Sequence, residues 1–428
     1  MKQRLVIALS FLSMLVLFIS CQTVNTNRLP LWESNNTRNK TIVISDLHLG
    51  IDDSYTETLE NRAYLVEFLQ RLQSTKDVKE LVIAGDFLDA WYLPVFYPSY
   101  TDENEFYKGV IANNKEVIAE LNKVIKSGIA LIYVPGNHDL TLEANVLKEA
   151  IPSIQIVSDE QGLGTYYTGN NKEIVIEHGH RYDIFSAPDK ITNEELCGNK
   201  NNTILPAGYI YARYAATWVI EGRPAVAKDL PVITQVPDKT NIDQFSAYIY
   251  YSVLKQVSTR MTPKEDLNEK IFKLHIAGFD DDYSYLDFYP VTQADGTISA
   301  NKLFKNIQRT WQDRQIQNNV KVSNSFIQAV AGANNWDYYF DQAKIQYLEN
   351  PKEKVDIVIF GHTHVPSYYT TEEGKLYVNS GTWVDHNTDF PEATRTFVVV
   401  ESGKKDLAEI YSYLEDGTLQ DLKPIVSK

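Results

Sequence analysis

The chain has 428 residues, enough for a large core and more than one small domain needs. Hydrophobic residues make up 43% and charged residues 23%, an ordinary globular composition with no internal repeat or low-complexity run. The net charge of −15 lacks the electrostatic footprint of a nucleic-acid binder, so no nucleic acid is expected as a partner.

Lys2 and Arg4 precede an uncharged apolar run over 5–19, a length that suits a signal-peptide core and is short for a membrane span. The run ends at Phe18-Ile19-Ser20-Cys21. A small residue before a cysteine there resembles a bacterial lipobox, although Phe18 stands where Leu is usual. The resemblance implies removal of residues 1–20, lipid on Cys21 and export to a bacterial cell membrane, periplasmic or surface-facing. A plain secretory signal or an uncleaved anchor is the alternative. Residues 21–39, rich in Asn and Thr, read as a polar tether. Cys197 is then the remaining thiol, so no intramolecular disulfide is expected, and it reads as a partly buried spectator.

Short Val- and Ile-rich runs at 41–44, 81–84, 130–134, 174–176 and 356–360 predict strands buried on both faces. Apolar residues at helical spacing predict helices over 58–72 and 105–125 between the first three strands. Strands alternating with helices indicate an α/β layered fold, whose site lies beyond the carboxyl ends of the strands. Residues 184–353 break this pattern. They hold helix candidates at 205–220, 244–257, 301–315 and 335–348, and read as a mostly helical insertion in a core formed by 40–183 and 354–428. Strand-like runs return at 376–378, 396–400 and 407–413.

Of eight histidines, six sit in four clusters directly after strand patterns: Asp46-Leu47-His48, Gly136-Asn137-His138-Asp139, His178-Gly179-His180 and Gly361-His362-Thr363-His364. Gly85-Asp86 makes a fifth strand-end cluster. Carboxylate, imidazole and amide oxygen together form a ligand set for borderline divalent metals. Residues i and i+2 at a strand end point to one side, so Asp46 with His48, and His362 with His364, can each reach one ion.

These five motifs, in this order, resemble the calcineurin-like metallophosphoesterase superfamily. The resemblance implies a four-layer α-β-β-α sandwich and two divalent metal ions, which could be Mn, Fe or Zn. By motif, Asp46, His48 and His364 would bind the first ion. Asn137, His178 and His362 would bind the second, and Asp86 would bridge both. His138 would face the substrate and Asp139 would orient it; His180 has either a substrate-side or a structural role. The segment Gly85-Asp86-Phe87-Leu88-Asp89-Ala90-Trp91 is similar to the UDP-2,3-diacylglucosamine pyrophosphatase branch. His138 and His180 stand where that branch tends to have Arg and Asp, so the branch is carried over and its substrate is not.

The expected chemistry is metal-assisted hydrolysis of a phosphomonoester or pyrophosphate in a small phosphorylated substrate, with attack by a metal-activated hydroxide. The loop 379–386 resembles the family's last loop, which makes Trp383 and His386 tentative substrate contacts. The insertion, tethered beside the second metal at both ends, is expected to form a lid. Two other readings remain: a phosphodiesterase on the same site, and a non-catalytic surface lipoprotein that binds glycan or protein through insertion aromatics such as Tyr209, Trp311 and Trp336.

Overall fold

A computed structural model of the chain describes residues 29–428 apart from 98–101, 199–204, 224–229, 262–265, 275, 277–278, 280, 334 and 404–405. The expected leader over 1–20 and Cys21 lie outside the described residues. Among those residues, no helix is long and apolar enough to cross a membrane.

The five central strands form where expected, at Lys40–Ile44, Val78–Ala84, Ala130–Val134, Ile174–Ile176 and Ile357–Phe360. Their alternating side chains explain why each run is apolar throughout. Ile42, Ile44, Leu81 and Ile83 point into a core shared with helices. Val43, Val82, Ala84 and Ile132 point the other way and meet Ile174, Ile176, Ile357 and Ile359 of a second sheet. Val175, Val358 and Phe360 fill a third core on that sheet's far side. Two sheets face to face, each covered outside by helices, make the four-layer α/β sandwich.

The first sheet has seven strands in the order Leu419–Asp421, Leu407–Tyr413, Thr396–Glu401, Lys40–Ile44, Val78–Ala84, Ala130–Val134, Gln155–Ile156. The second has five, in the order Ser367–Thr370, Leu376–Asn379, Ile357–Phe360, Ile174–Ile176, Tyr166–Thr168. Lys40–Ile44 runs parallel to Val78–Ala84, and Ile357–Phe360 parallel to Ile174–Ile176. The carboxyl ends of these strands open toward one region, where the site is built.

Several expectations need correction. The helix expected over 105–125 is two helices, Glu103–Asn113 and Lys115–Lys126. They break at Asn114, whose amide donates to the carbonyls of Gly50 and Val110. The helix expected from residue 58 starts at Asn61, because Asp385, far along the chain, accepts from the backbone N–H groups of Leu59, Glu60 and Asn61. Residues 29–39 are not a free tether. Leu31 is buried, its N–H donates to Thr75, and the Trp32 indole donates to Asp77 at 3.1 Å.

The insertion contains the helices Ala207–Ile220, Ile242–Met261, Ile307–Gln317 and Trp336–Ala343, the last continuing as a π-helical turn over Lys344–Leu348. It also holds two small hairpins, Lys270–Leu274 with Asp281–Ser284 and Pro290–Thr292 with Ile298–Ala300. Their runs are too short for a period of two to show in the sequence. Tyr209, Tyr214 and Trp311 are buried in the core that backs the first sheet, while Tyr339 and Tyr347 pack on the second. Arg213 ties the insertion to the loop after Asp86 by donating to the carbonyls of Leu93 and Pro94.

Candidate metal centre

Five of the seven expected ligands leave their strands through turns that extended geometry cannot make. Asp46, His48, Asp86, His362 and His364 all have positive φ, between 43° and 71°. A residue with a Cβ held there costs about 1–2 kcal/mol, so five in one site mark stored strain that the surrounding packing must hold. The i, i+2 rule for extended strands is therefore not what pairs Asp46 with His48, yet Asp46 Oδ1 and His48 Nε2 lie 3.9 Å apart. Close approach also needs small residues. A Cβ on Gly85 would sit 2.4 Å from the His178 ring, and one on Gly136 would sit 2.1 Å from Asp86 Oδ1.

The donor atoms converge. His48 Nε2 and His364 Nε2 face one another at 3.0 Å, and His364 Nε2 is 3.3 Å from Asp46 Oδ1. Asp86 Oδ2 lies 3.6 Å from His48 Nε2 and 3.2 Å from His178 Nε2, so one carboxylate touches both halves of the cluster. His178 Nε2 is also 3.1 Å from Asn137 Oδ1. One donor atom each from Asp46, His48 and His364 falls within a 4.8 Å sphere of mutual contact, and the same holds for Asp86, His178 and His362.

Ring orientation completes the fit to cations. His178 Nδ1 donates to the Ala84 carbonyl at 2.8 Å and His48 Nδ1 to Asp89 Oδ2 at 2.8 Å. Both hydrogen bonds fix the tautomer that turns an Nε2 lone pair inward. His362 Nε2 donates to Asp183 Oδ2 at 3.1 Å, which leaves its Nδ1 free. With its Nδ1 proton given to Asp89, His48 presents an Nε2 lone pair 3.0 Å from His364 Nε2, a separation at which two imidazoles can bind one ion side by side. The residues present thus fit divalent ions bound by nitrogen and oxygen.

Residues 40–218 match the model of the calcineurin-like phosphoesterase family. This is a metal-dependent phosphoesterase. That family implies a dinuclear divalent centre, for which the converging carboxylate and imidazole groups are candidate donors. No curated protein sequence matches the chain. Among solved structures, the fold is similar to a dimetal phosphatase from Danio rerio at 11% identity, covering 90% of this chain and 96% of that one with a TM-score of 0.36. A phosphopantetheinyl hydrolase from Mycobacterium tuberculosis is 12% identical, with 81% and 90% covered and a TM-score of 0.27.

Above the donors lies a cavity of about 250 Å³. Asp86, Asn137, His138, His362 and His364 line its floor. His138 is held from three sides. Its Nδ1 donates to Asp89 Oδ1 at 3.0 Å, Trp91 stacks on it with centroids 4.8 Å apart, and the edge of His48 meets it at 4.5 Å. Burial alone would lower its pKa, but the carboxylates of Asp89 and Asp86 outweigh burial and raise it.

The residue that orients His138 is therefore Asp89, not Asp139. Asp139 lies under the turn, where its carboxylate accepts from the N–H groups of Phe87 at 2.7 Å and Gly136 at 2.6 Å. Burial and the neighbouring Asp86 push its pKa up to about 6. It shapes the loop that presents Asn137 and His138. Asp89 meanwhile serves two rings, and its Oδ1 also accepts from the N–H groups of Trp91 and Tyr92. Its place three residues after Asp86, ahead of Ala-Trp, was the available signal. Asp89→Asn is expected to keep the fold and lower metal affinity or turnover by about 10–100-fold, as loss of a ligand's hydrogen-bonded carboxylate does. Metal titration followed by turnover at saturating metal separates the two effects; wild-type values for both would remove Asp89 from the site.

The remaining candidates fall outside the cavity wall. Trp383 is fully buried, with its indole donating to the Thr396 carbonyl and its ring against Phe68. It cannot reach a substrate; its backbone N–H, with the Thr382 hydroxyl, holds the Asp46 carbonyl and so sets the turn. His386 is exposed on the same loop and does not line the cavity. His180 is buried behind His178, centroids 5.2 Å apart, and neither ring nitrogen has a hydrogen-bond partner among the described residues. Burial, with the charges of His178 and His362, holds its pKa well below normal, so it stays neutral. Cys197 is half-buried, and burial pushes its thiol up to about 11, which suits a spectator.

Proposed function

We propose that this phosphoesterase is an exported, lipid-anchored hydrolase that cleaves a phosphomonoester or pyrophosphate bond in a small substrate. The observation that carries the reading is the convergence of seven strand-end donors, four of which, Asp86, Asn137, His362 and His364, line the floor of one cavity with His138 beside them. Asp46, His48, His364 and Asp86 would hold one ion, and Asp86, Asn137, His178 and His362 the other. When bound, two such ions neutralise phosphoryl oxygens and make a water acidic enough to ionise near neutral pH. The chain's own part is to place the ester. His138 donates a hydrogen bond or proton to the leaving oxygen, and Asp89 holds its imidazole in position.

The insertion acts as a lid. Ser186, Gly208, Trp336 and Tyr339 supply the cavity walls opposite the donors, which supports this role. Likeness to the UDP-2,3-diacylglucosamine pyrophosphatase branch is supported by Trp91, which stands in the cavity wall against His138. The test is a parallel screen of metal-loaded protein with phosphomonoesters, phosphodiesters and pyrophosphates. Turnover of monoesters or pyrophosphates that stops with chelator and returns with Mn, Fe or Zn is expected. Metal-dependent turnover confined to diesters would overturn the reading.

Export and anchoring rest on residues 1–21. Mass spectrometry of the membrane fraction is expected to find acylated Cys21 at the mature N-terminus, with Cys21→Ser releasing or mislocalising the protein. An unmodified chain that begins elsewhere would remove the anchor and leave the chemistry intact.

A further inference from the structure

The cavity has a charge pattern unusual for a site that receives phosphate. Among the described residues, no lysine or arginine lines it. Arginines packed around it are committed to structure and buried. Arg181 pairs with Glu177 at 3.2 Å, Arg213 donates to the carbonyls of Leu93, Pro94 and Tyr97, and Arg314 donates to those of Ile184 and Ala187. Cationic help for a phosphoryl group is therefore confined to the floor, where the ions and His138 would meet it.

The walls carry the opposite character. Asp183 and Asp389 both line the cavity beyond the ligand set. Asp183 is held by the Ser186 hydroxyl at 2.9 Å and by His362 Nε2 at 3.1 Å, while Asp389 is exposed at the rim. Between them stand three aromatic rings, Trp91, Trp336 and Tyr339. Trp91 and Tyr339 are buried and Trp336 is half-buried. Such walls bind apolar groups by contact and cations through the ring faces, and they place no cationic side chain beside a second anion. A carboxylate or further phosphate in the leaving group would meet the like charges of Asp389 and Asp183 without gaining a cationic partner.

We infer that this site selects phosphate esters whose phosphoryl group is their only anionic group, with a leaving group that is apolar or cationic. This rests on the proposed hydrolase reading and narrows it to phosphomonoesters, away from pyrophosphates, nucleotide-like and other polyanionic substrates. The aromatic walls set affinity for the leaving group, and the two carboxylates exclude competitors.

The experiment uses the metal-loaded full chain and alkyl phosphates that differ in charge: benzyl phosphate (neutral), phosphocholine (cationic) and 3-phosphoglycerate (anionic), with a nucleoside diphosphate alongside. The kcat/KM for the first two is expected to exceed that for the last two by about tenfold or more, the scale of losing one favourable polar contact. A second readout is binding without turnover. Quenching of tryptophan fluorescence should give a lower Kd for benzylphosphonate than for phosphonoacetate, and Trp336→Ala should erase most of that difference. Asp389→Lys should raise kcat/KM for 3-phosphoglycerate and leave benzyl phosphate less affected. Equal or better turnover of the anion-bearing esters by the wild-type protein would overturn the inference and leave the hydrolase reading standing. No metal-dependent turnover of any ester would overturn both.

Discussion

Asp86→Asn is expected to lose most bound metal and to lower kcat by at least about 10²-fold, the scale of removing one preorganised electrostatic group from a site. The substitution keeps the shape of the side chain and removes its charge. Asp86 Oδ2 stands 3.2 Å from His178 and 3.6 Å from His48, so it is the carboxylate that belongs to both halves of the centre. Its Oδ1 accepts from the His138 N–H at 2.9 Å, a contact that an amide oxygen can keep. The variant should therefore fold, and circular dichroism should match wild type. Elemental analysis after dialysis should show that metal content has fallen. Normal metal content with normal turnover would sink the bridging assignment. Normal metal content with lost turnover would move Asp86 from holding the ions to positioning the attacking water.

Much of the fold and of the candidate donor cluster was legible because both rest on short-range patterns. A strand buried on both faces must be apolar at every position, as Ile42, Val43 and Ile44 are, and this makes its end conspicuous when Asp46 and His48 follow. What was not legible depends on contacts distant in sequence or on backbone conformation. The positive φ of Asp46, Asp86 and His362 leaves only a weak trace in residue type, because Asp and His adopt it more often than most residues yet far less freely than Gly. The break at Asn114 depends on a carbonyl at Gly50, and the start of the helix at Asn61 depends on Asp385.

The errors at the site share one cause. Adjacent residues in a tight turn point to different sides, so Asp139 follows His138 in the chain and yet lies beneath the turn. The carboxylate that serves His138 comes from another strand end, at Asp89. Asp183 was missed for a related reason. It stands where the core seemed to end, but the short 3-10 turn His180–Tyr182 carries the chain back to His362. Reading residues 379–386 as a substrate loop also mistook support for contact, since Trp383 holds the turn of Asp46 from behind. In each case the chemistry-bearing residue type was visible, and the partner that decides its role was not.

His138→Ala is expected to keep both halves of the metal centre and to lower kcat by about 10²–10⁴-fold, the range for loss of a positioned general acid. Three observations separate His138 from the ligands. Its ring lies between Trp91 and His48 and faces the cavity, its Nδ1 is taken by Asp89, and the free nitrogen is Nε2. Asp89 also answers an electrostatic need. Two divalent ions nearby would drive the proton off His138, and a carboxylate 3.0 Å from Nδ1 offsets that charge and keeps the ring able to donate. The leaving group supplies the decisive measurement. An ester of a low-pKa phenol needs no proton on departure, so His138→Ala should recover much of its rate with that ester and little with an alkyl phosphate. A drop of equal size for both esters would mean that His138 acts on the phosphoryl group and not on the leaving oxygen. Loss of metal from the variant would make it a ligand.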